Sequence, residues 1–153
     1  MSLEELEKRI RVLEDIEAIK QLKSHYSQIV DGSSPEEIER LVTEDAFFDY
    51  GPVGTLKGRK AITEFFKKYP EVRPLRVHYF SQPDIQIEGD EAYGRWYMWC
   101  PCSSGDGMAL WSSGFQDDKY KRVNGKWLIA GIKLTSNFRT SFEEGWHKRR
   151  FID

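Results

Sequence analysis

The chain has 153 residues, of which 31% are charged, and a formal net charge of −2 at pH 7. One domain of this length buries about two-thirds of the surface that its unfolded chain exposes. A single short basic run, Lys148-Arg149-Arg150, gives no footing for nucleic acid, and no apolar run approaches the ~20 residues that span a bilayer.

MSLEELEKRI lacks the apolar stretch of a secretory signal, so the expected setting is the cytoplasm. Leu3, Leu6, Ile10 and Leu13 recur at heptad-like steps with charged residues between them. This is under two heptads, too few for a coiled coil, and suits packing on the domain or on a second subunit.

DIEAIKQLKSHYSQIVDG follows, from Asp15 to Gly32. Ile16, Ile19, Leu22, Tyr26, Ile29 and Val30 paint one helical stripe, and Gly32 ends it. Tyr26 brings a phenol onto that stripe and Asp31 a carboxylate near its end. Five residues along a helix place them ~140° apart and ~7.5 Å along the axis, able to flank one pocket without touching. On the helix alone the plainer reading is a core tyrosine and a turn aspartate.

Ser34, Pro35 and Glu37 have the spacing of a capping box ahead of a short second helix with Ile38, Leu41 and Val42 inward. Ala46 to Tyr50 reads as a strand, GPVG as a turn and Thr55 to Lys57 as a short extended piece. Gly58 opens a third helix with Ile62, Phe65, Phe66 and Tyr69 inward, which Pro70 is expected to stop.

The remainder reads as β structure. Leu75 to Phe80 alternates Leu75, Val77 and Tyr79 against Arg76, His78 and Phe80, and Asp84 to Gly89 alternates about Ile85 and Ile87. Ala92 to Cys100 is apolar or aromatic on both faces, as a doubly covered strand is. A loop at Pro101 to Gly107 leads into a long strand from Met108 to Val123. Asn124-Gly125 is the strongest hairpin signal in the chain and joins that strand to the last one. Residues 1–14 form a helical extension, 143–153 a tail without clear period, and the whole a single domain. Helices first, then four or five antiparallel strands, is an α+β order. A strongly curved sheet wrapped around about three helices forms a cone with a closed pocket, which the five Trp, seven Tyr and nine Phe would line.

Motifs for phosphate binding or a serine nucleophile are absent: Gly51, Gly54 and Gly58 form no G-x-G-x-x-G, and no Ser lies in G-x-S-x-G. Cys100 and Cys102 form C-x-C, poorly placed to bridge each other along a strand and without a second ligand pair for zinc. They read as buried filler in a reduced, metal-free protein. His25 is ~100° around the helix from Tyr26 and points elsewhere, and His147 lies in the tail. His78 sits mid-strand among apolar residues. A lone strand histidine is commonly structural, but paired with a carboxylate it makes a good general base near neutral pH. A tyrosine hydroxyl in the same pocket could steady developing charge on a carbonyl oxygen.

The DIEAIKQLKSHYSQIVDG helix, the G-x-x-x-G-x-x-A-I-x-x-F-F run ending at Phe66, the GRWYMW strand and the DDKYKRVNGKWLI hairpin together resemble the SnoaL-like branch of the nuclear transport factor 2-like superfamily. The resemblance covers roughly Asp15 to Phe142 and extends to bile-acid 7α-dehydratase and, more distantly, to scytalone dehydratase. It implies a cone-shaped, cystatin-like α+β fold, no cofactor, and a lyase or isomerase/cyclase acting on an apolar ring-containing molecule. Carried over by position, it makes His78 the base and Asp31 its orienting carboxylate, with Tyr26 and Tyr50 polarising a substrate oxygen. It places Arg139, Trp96, Cys100, Phe47 and Phe66 around the ligand, with Cys100 standing where the dehydratase has an acidic residue. The same fold also serves as a non-catalytic accessory subunit in dioxygenases, a reading that requires Asp31 and His78 to lie apart. Apolar residues on both sheet faces further imply a homo-oligomer, a dimer or trimer.

Overall fold

The computed structural model describes residues 1–32 and 34–152. Helix α1 (Leu3–Asp31) opens with a reciprocal cap in which Glu5 N–H donates to Ser2 Oγ and Ser2 N–H to the Glu5 carboxylate. Its second half buries Ile19, Leu22, Lys23, Tyr26 and Val30. Its first half carries the leucine seam uncovered, from Leu6 at 40% to Leu3 at 73% exposure. Gly32 ends the helix in an extended conformation, not a left-handed one. A Cβ there would approach the Gln28 carbonyl oxygen to 2.8 Å, so close packing, rather than a positive φ, asks for glycine.

The expected second helix is a 3₁₀ segment, Pro35–Arg40, without a side-chain cap from Ser34. β1 (Val42–Asp49) starts before AFFDY, because Val42 and Thr43 already lie buried. β2 (Thr55–Lys57) pairs back on it. Helix α2 (Gly58–Val72) continues past Pro70 into one more half-turn instead of stopping there.

Leu75–Phe80 and Asp84–Gly89 are not two strands. The chain from Leu75 to His78 is tied by a single bridge, Arg76 to Cys102. It leads into β3 (Tyr79–Glu88), bent at Gln82 where φ is 50°. β4 (Glu91–Ser103) absorbs the first part of the expected loop, and β5 (Ala109–Val123) and β6 (Lys126–Ser141) complete the sheet. A short helix, α3 (Gly145–Lys148), occupies the tail, and Phe151 bridges back to Arg139.

The sheet order is β2-β1-β6-β5-β4-β3, and the β1–β6 pair is parallel, so the sheet is mixed rather than wholly antiparallel. Bulges in β3 and β6 give it curvature. Its concave face packs Phe48, Ala92, Trp96, Tyr120, Ile129 and Ile132 against α1 and α2. β4 buries every second residue from Ala92 to Cys102, while Tyr93 and Tyr97 on its other face stay 40% and 49% exposed. The expected double cover is therefore not present within one chain. Among the described residues no helix is long and apolar enough to cross a membrane.

Candidate active site

The C-terminus of α1 is held by an arginine. Arg76 donates from Nε to the Val30 carbonyl (2.5 Å), from Nη2 to Gly32 (2.7 Å) and from Nη1 to Arg73 (2.9 Å). The last carbonyls of a helix lack partners inside it, and a cation at that end is favoured by the helix dipole. Asp31 is thereby anchored at a fixed helix end. Its carboxylate then meets His78 twice: Oδ2 accepts the backbone N–H at 2.7 Å, and Oδ1 lies 2.5 Å from Nδ1. A carboxylate only accepts, so Nδ1 carries the proton and the Nε2 lone pair remains available. Ser27 Oγ donates to the His78 carbonyl at 2.9 Å, which fixes the same residue from the helix side. The two side chains are 12% and 20% exposed, shielded yet not sealed.

Phe80 connects this dyad to a pair of tyrosines. Its ring stacks on the His78 imidazole at 5.9 Å and leans on Tyr26 at 6.1 Å. Tyr26 and Tyr50 hydroxyls lie 3.1 Å apart. Burial, in the first place, pushes both phenols well above their ordinary value. They are neutral hydroxyl groups across the physiological range, able to donate a hydrogen bond but not to act as bases. Phe66 sits edge-on to Tyr26 at 6.2 Å, so this predicted neighbour does line the region.

Cys100 lies on the same face. Between the pairs Tyr79–Trp99 and Arg76–Cys102, His78 falls opposite Cys100, and the row continues through Ser112 to Arg139. Directly opposed residues of an antiparallel ladder share a face, so His78, Cys100, Ser112 and Arg139 all point inward. The Cys100 thiol donates to the Pro101 carbonyl at 3.9 Å, and the neighbouring Cys102 thiol, and then burial, push it up and keep it neutral. The neighbouring Cys100 thiol, helped by the charges of Arg73 and Arg139 and opposed by burial, brings Cys102 down to about 7.

Two predicted residues stand elsewhere. Phe47 is 41% exposed, because alternation along β1 turns Ala46 and Phe48 inward and Phe47 out. Trp96 is buried, but its indole N–H donates to Tyr120 Oη at 2.9 Å as part of a separate network. In that network Lys23 Nζ contacts Gln116 Oε1 at 2.6 Å and Asp118 Oδ2 at 2.7 Å, and Tyr120 donates to the same Asp118 oxygen. The Lys23 ammonium also lies 4.1 Å from the Phe80 ring centroid. Sequence reasoning passed over this lysine, although it stands four residues after Ile19 and three before Tyr26, squarely on the buried stripe. Two open concavities, of about 490 and 220 Å³, are lined by Thr43, Arg59 and Lys121 and by His25, Glu37 and Arg40. Neither touches the dyad or the tyrosine pair, so the expected closed pocket is not one of them.

Residues 11–133 match the family model described as a SnoaL-like domain. The chain belongs to the SnoaL-like family. An uncharacterized protein of Mycobacterium bovis is 27% identical over 114 residues, covering 72% of this chain and 78% of that protein. Among solved structures, a hexachlorocyclohexane dehydrochlorinase from Novosphingobium barchaimii superimposes with a TM-score of 0.81 at 18% identity, over 88% of this chain and 94% of that one. A chain from Novosphingobium aromaticivorans, provisionally named a scytalone dehydratase, gives a TM-score of 0.79 at 23% identity, over 85% and 89% of the two chains. These likenesses establish the SnoaL-like, cystatin-like architecture, with its N-terminal helices and curved six-stranded sheet.

Proposed function

We propose that this SnoaL-like chain is a cofactor-independent lyase or isomerase/cyclase that uses the Asp31–His78 pair as its general base. The carrying observation is the double contact between the two residues, at 2.7 and 2.5 Å. With Nδ1 committed to Asp31, Nε2 can accept a proton α to a carbonyl or β to a leaving group. Asp31 then stabilises the imidazolium so formed. The neutral Tyr26–Tyr50 pair, joined to the dyad through Phe80, supplies a hydroxyl donor for the developing enolate oxygen. Elimination completes when the electron pair expels the leaving group. In isomerisation, His78 returns the proton to another carbon. The names of the dehydrochlorinase and the dehydratase with this fold support the reaction class.

Phe80, Phe66 and Tyr26 give the surroundings an aromatic character suited to a ring-containing substrate. The contact between Asp31 and His78 counts against the accessory-subunit reading, which needed them apart. A self-association role is favoured by the uncovered leucine seam of α1 and by the aromatic outer face, where Trp99, Trp111, Phe138 and Trp146 stack at 5.0–6.3 Å.

The test is proton exchange. Alicyclic ketones and their β-hydroxy derivatives, incubated with the protein in deuterated water, should gain deuterium at the α-carbon or lose water, read by mass spectrometry. His78→Ala should abolish both while leaving ligand affinity nearly intact. Undiminished exchange in that variant rules His78 out as the base.

A further inference from the structure

We infer that Lys23, sealed in the core, is a positioning residue for the general base. Acting through Phe80, it fixes the plane of the His78 imidazole and so the direction of the Nε2 lone pair. The role rests on the reading of His78 as the base, and Lys23 itself never touches the substrate.

An ammonium group carries three N–H donors and no acceptor. Gln116 Oε1 takes one at 2.6 Å and Asp118 Oδ2 a second at 2.7 Å. Among the described residues no oxygen accepts the third. Aromatic rings surround the ammonium instead, with centroids at 4.1 Å for Phe80, 5.0 Å for Tyr26 and 5.9 Å for Trp96. A cation within about 6 Å of a ring centroid is attracted by the ring quadrupole, and more strongly once desolvated. Lys23 is 1% exposed, and Phe80 is the closest of the three rings.

Phe80 is also the ring on which His78 lies, with centroids 5.9 Å apart and 11° between the planes. Asp31 holds the imidazole at Nδ1 and the backbone at its N–H. A ring held at one atom can still swing about that contact, and a parallel neighbour settles its plane. The backbone gives Phe80 limited support, because the β3–β4 ladder shifts register between Ser81 and Asp84, with Gln82 at a φ of 50°. Ring contacts therefore carry much of its orientation. Tyr26 leans on it from α1 at 6.1 Å, and Lys23 is itself fixed from β5 by Gln116 and Asp118.

Stability gives no reason for a charge at this position. A buried ion pair can commonly be replaced by apolar residues of similar volume at little or no cost. Direct chemistry gives none either, since the ammonium is inaccessible and its donors are taken. What an ammonium does here that a methyl group could not is hold a ring face by its charge, and the ring it holds is the neighbour of the base.

The experiment compares the full chain with Phe80→Leu, with the paired replacement Lys23→Met/Asp118→Leu, and with all three changes together, each carrying isotope-labelled histidine. The His78 ring protons, assigned with His78→Ala, report the stack through the ring current of Phe80. The paired replacement should move them toward their positions in Phe80→Leu and leave His25 and His147 unmoved. Proton exchange into α-tetralone at saturating ketone should fall roughly tenfold or more, with affinity for the ketone nearly unchanged. In the Phe80→Leu background the paired replacement should add nothing to that fall, because residues acting through one another are not additive. If the paired replacement fails to fold, Lys23→Gln/Asp118→Asn, which removes the charges and keeps polar partners, carries the same reading. His78 signals that stay in place, a loss confined to affinity, undiminished exchange, or equal falls in both backgrounds each overturn the positioning role. Because the signals are read without turnover, an unaltered protein that exchanges no protons rejects the base alone, and the signals still decide whether Lys23 orients His78.

Discussion

Asp31 and His78 are 47 positions apart in sequence and yet joined by both carboxylate oxygens, one to the backbone N–H and one to the ring. The backbone contact matters as much as the ring contact. It ties the start of β3 to the end of α1, so the imidazole cannot move away from its partner without breaking a charge-assisted bond. Asp31→Asn keeps the shape but removes the charge that stabilises the imidazolium. It should lower kcat by roughly 10²–10⁴ with little change in ligand affinity. Steady-state kinetics paired with equilibrium binding checks this, and a purely elevated KM contradicts it.

The tyrosine pair predicts the alkaline side of the pH profile. Burial raises both phenols above their ordinary value of 10.0. A raised phenol stays protonated as pH climbs through its usual range, so neither hydroxyl is lost as a donor below about pH 10. The kcat profile should show no alkaline fall assignable to tyrosine in that interval. Tyr50→Phe should still lower kcat, by about 10²-fold if Tyr50 steadies the developing oxyanion. An alkaline inflection below pH 10 that disappears in Tyr50→Phe contradicts this account.

Arg76 should be required for the site without touching the substrate. Its three carbonyl contacts hold the turn on which Asp31 stands. Arg76→Met leaves those carbonyls without donors and should cost roughly 2–3 kcal/mol of stability. Arg76→Lys, a single point charge in place of a planar fork, should recover less than half of it. Urea unfolding gives the free energies, and the amide signal of His78 should shift in both variants as Asp31 moves.

How far the sequence disclosed the site follows from what side-chain periodicity can and cannot encode. The α1 stripe was legible because Ile19, Leu22, Tyr26 and Val30 recur at helical steps, and His78 was legible as a face-mate of Arg76 and Phe80. Phe47 was misplaced because two adjacent phenylalanines on a strand share no face, and nothing local says which turns inward. Pro70 was read as a stop, yet a proline in the final turn costs only one donor near an end that already lacks partners. Lys23 escaped notice because its charge marks it as surface. Only Gln116 and Asp118, 93 and 95 positions away, show what makes its burial tolerable.

Asp15 provides a pH-dependent clasp between α1 and the sheet. Arg122 Nη2 and Trp127 Nε1 donate to its two oxygens at 2.7 and 2.9 Å. The Arg122 hydrogen bond chiefly holds the carboxyl below its ordinary value of 3.8, against the opposing effect of burial. A carboxyl with a depressed folded-state value contributes stability that is present above its unfolded value and is lost as pH falls through the folded one. Asp15→Asn should cost about 1.5–3 kcal/mol near pH 7, the range for a hydrogen bond to a charged group. The gap between variant and parent should close as pH drops below 3.8. Urea titrations across that interval check both the size and the sign, and a gap that widens in acid rejects the clasp.

The buried Lys23–Asp118 pair calls for a different kind of experiment. Both side chains are essentially inaccessible, and burial opposes both charges, lowering Lys23 and raising Asp118 while their mutual attraction resists. Among the described residues Asp118 Oδ1 has no hydrogen-bond partner, so the arrangement is not fully satisfied. Removing one member strands the other charge in the interior. Lys23→Met and Asp118→Leu should therefore each destabilise by about 3–5 kcal/mol. Replacing both with apolar residues of similar volume removes the two desolvation costs together. The double variant should then lie well above the sum of the singles, close to the parent protein. A double-mutant cycle by urea unfolding gives the coupling directly. The Lys23 ammonium also rests against Phe80 at 4.1 Å, and Phe80 stacks on His78. If the double variant folds normally yet shows a changed His78 titration by NMR, the network also sets the position of the base. If that titration is unchanged, its role is confined to holding α1 against β5.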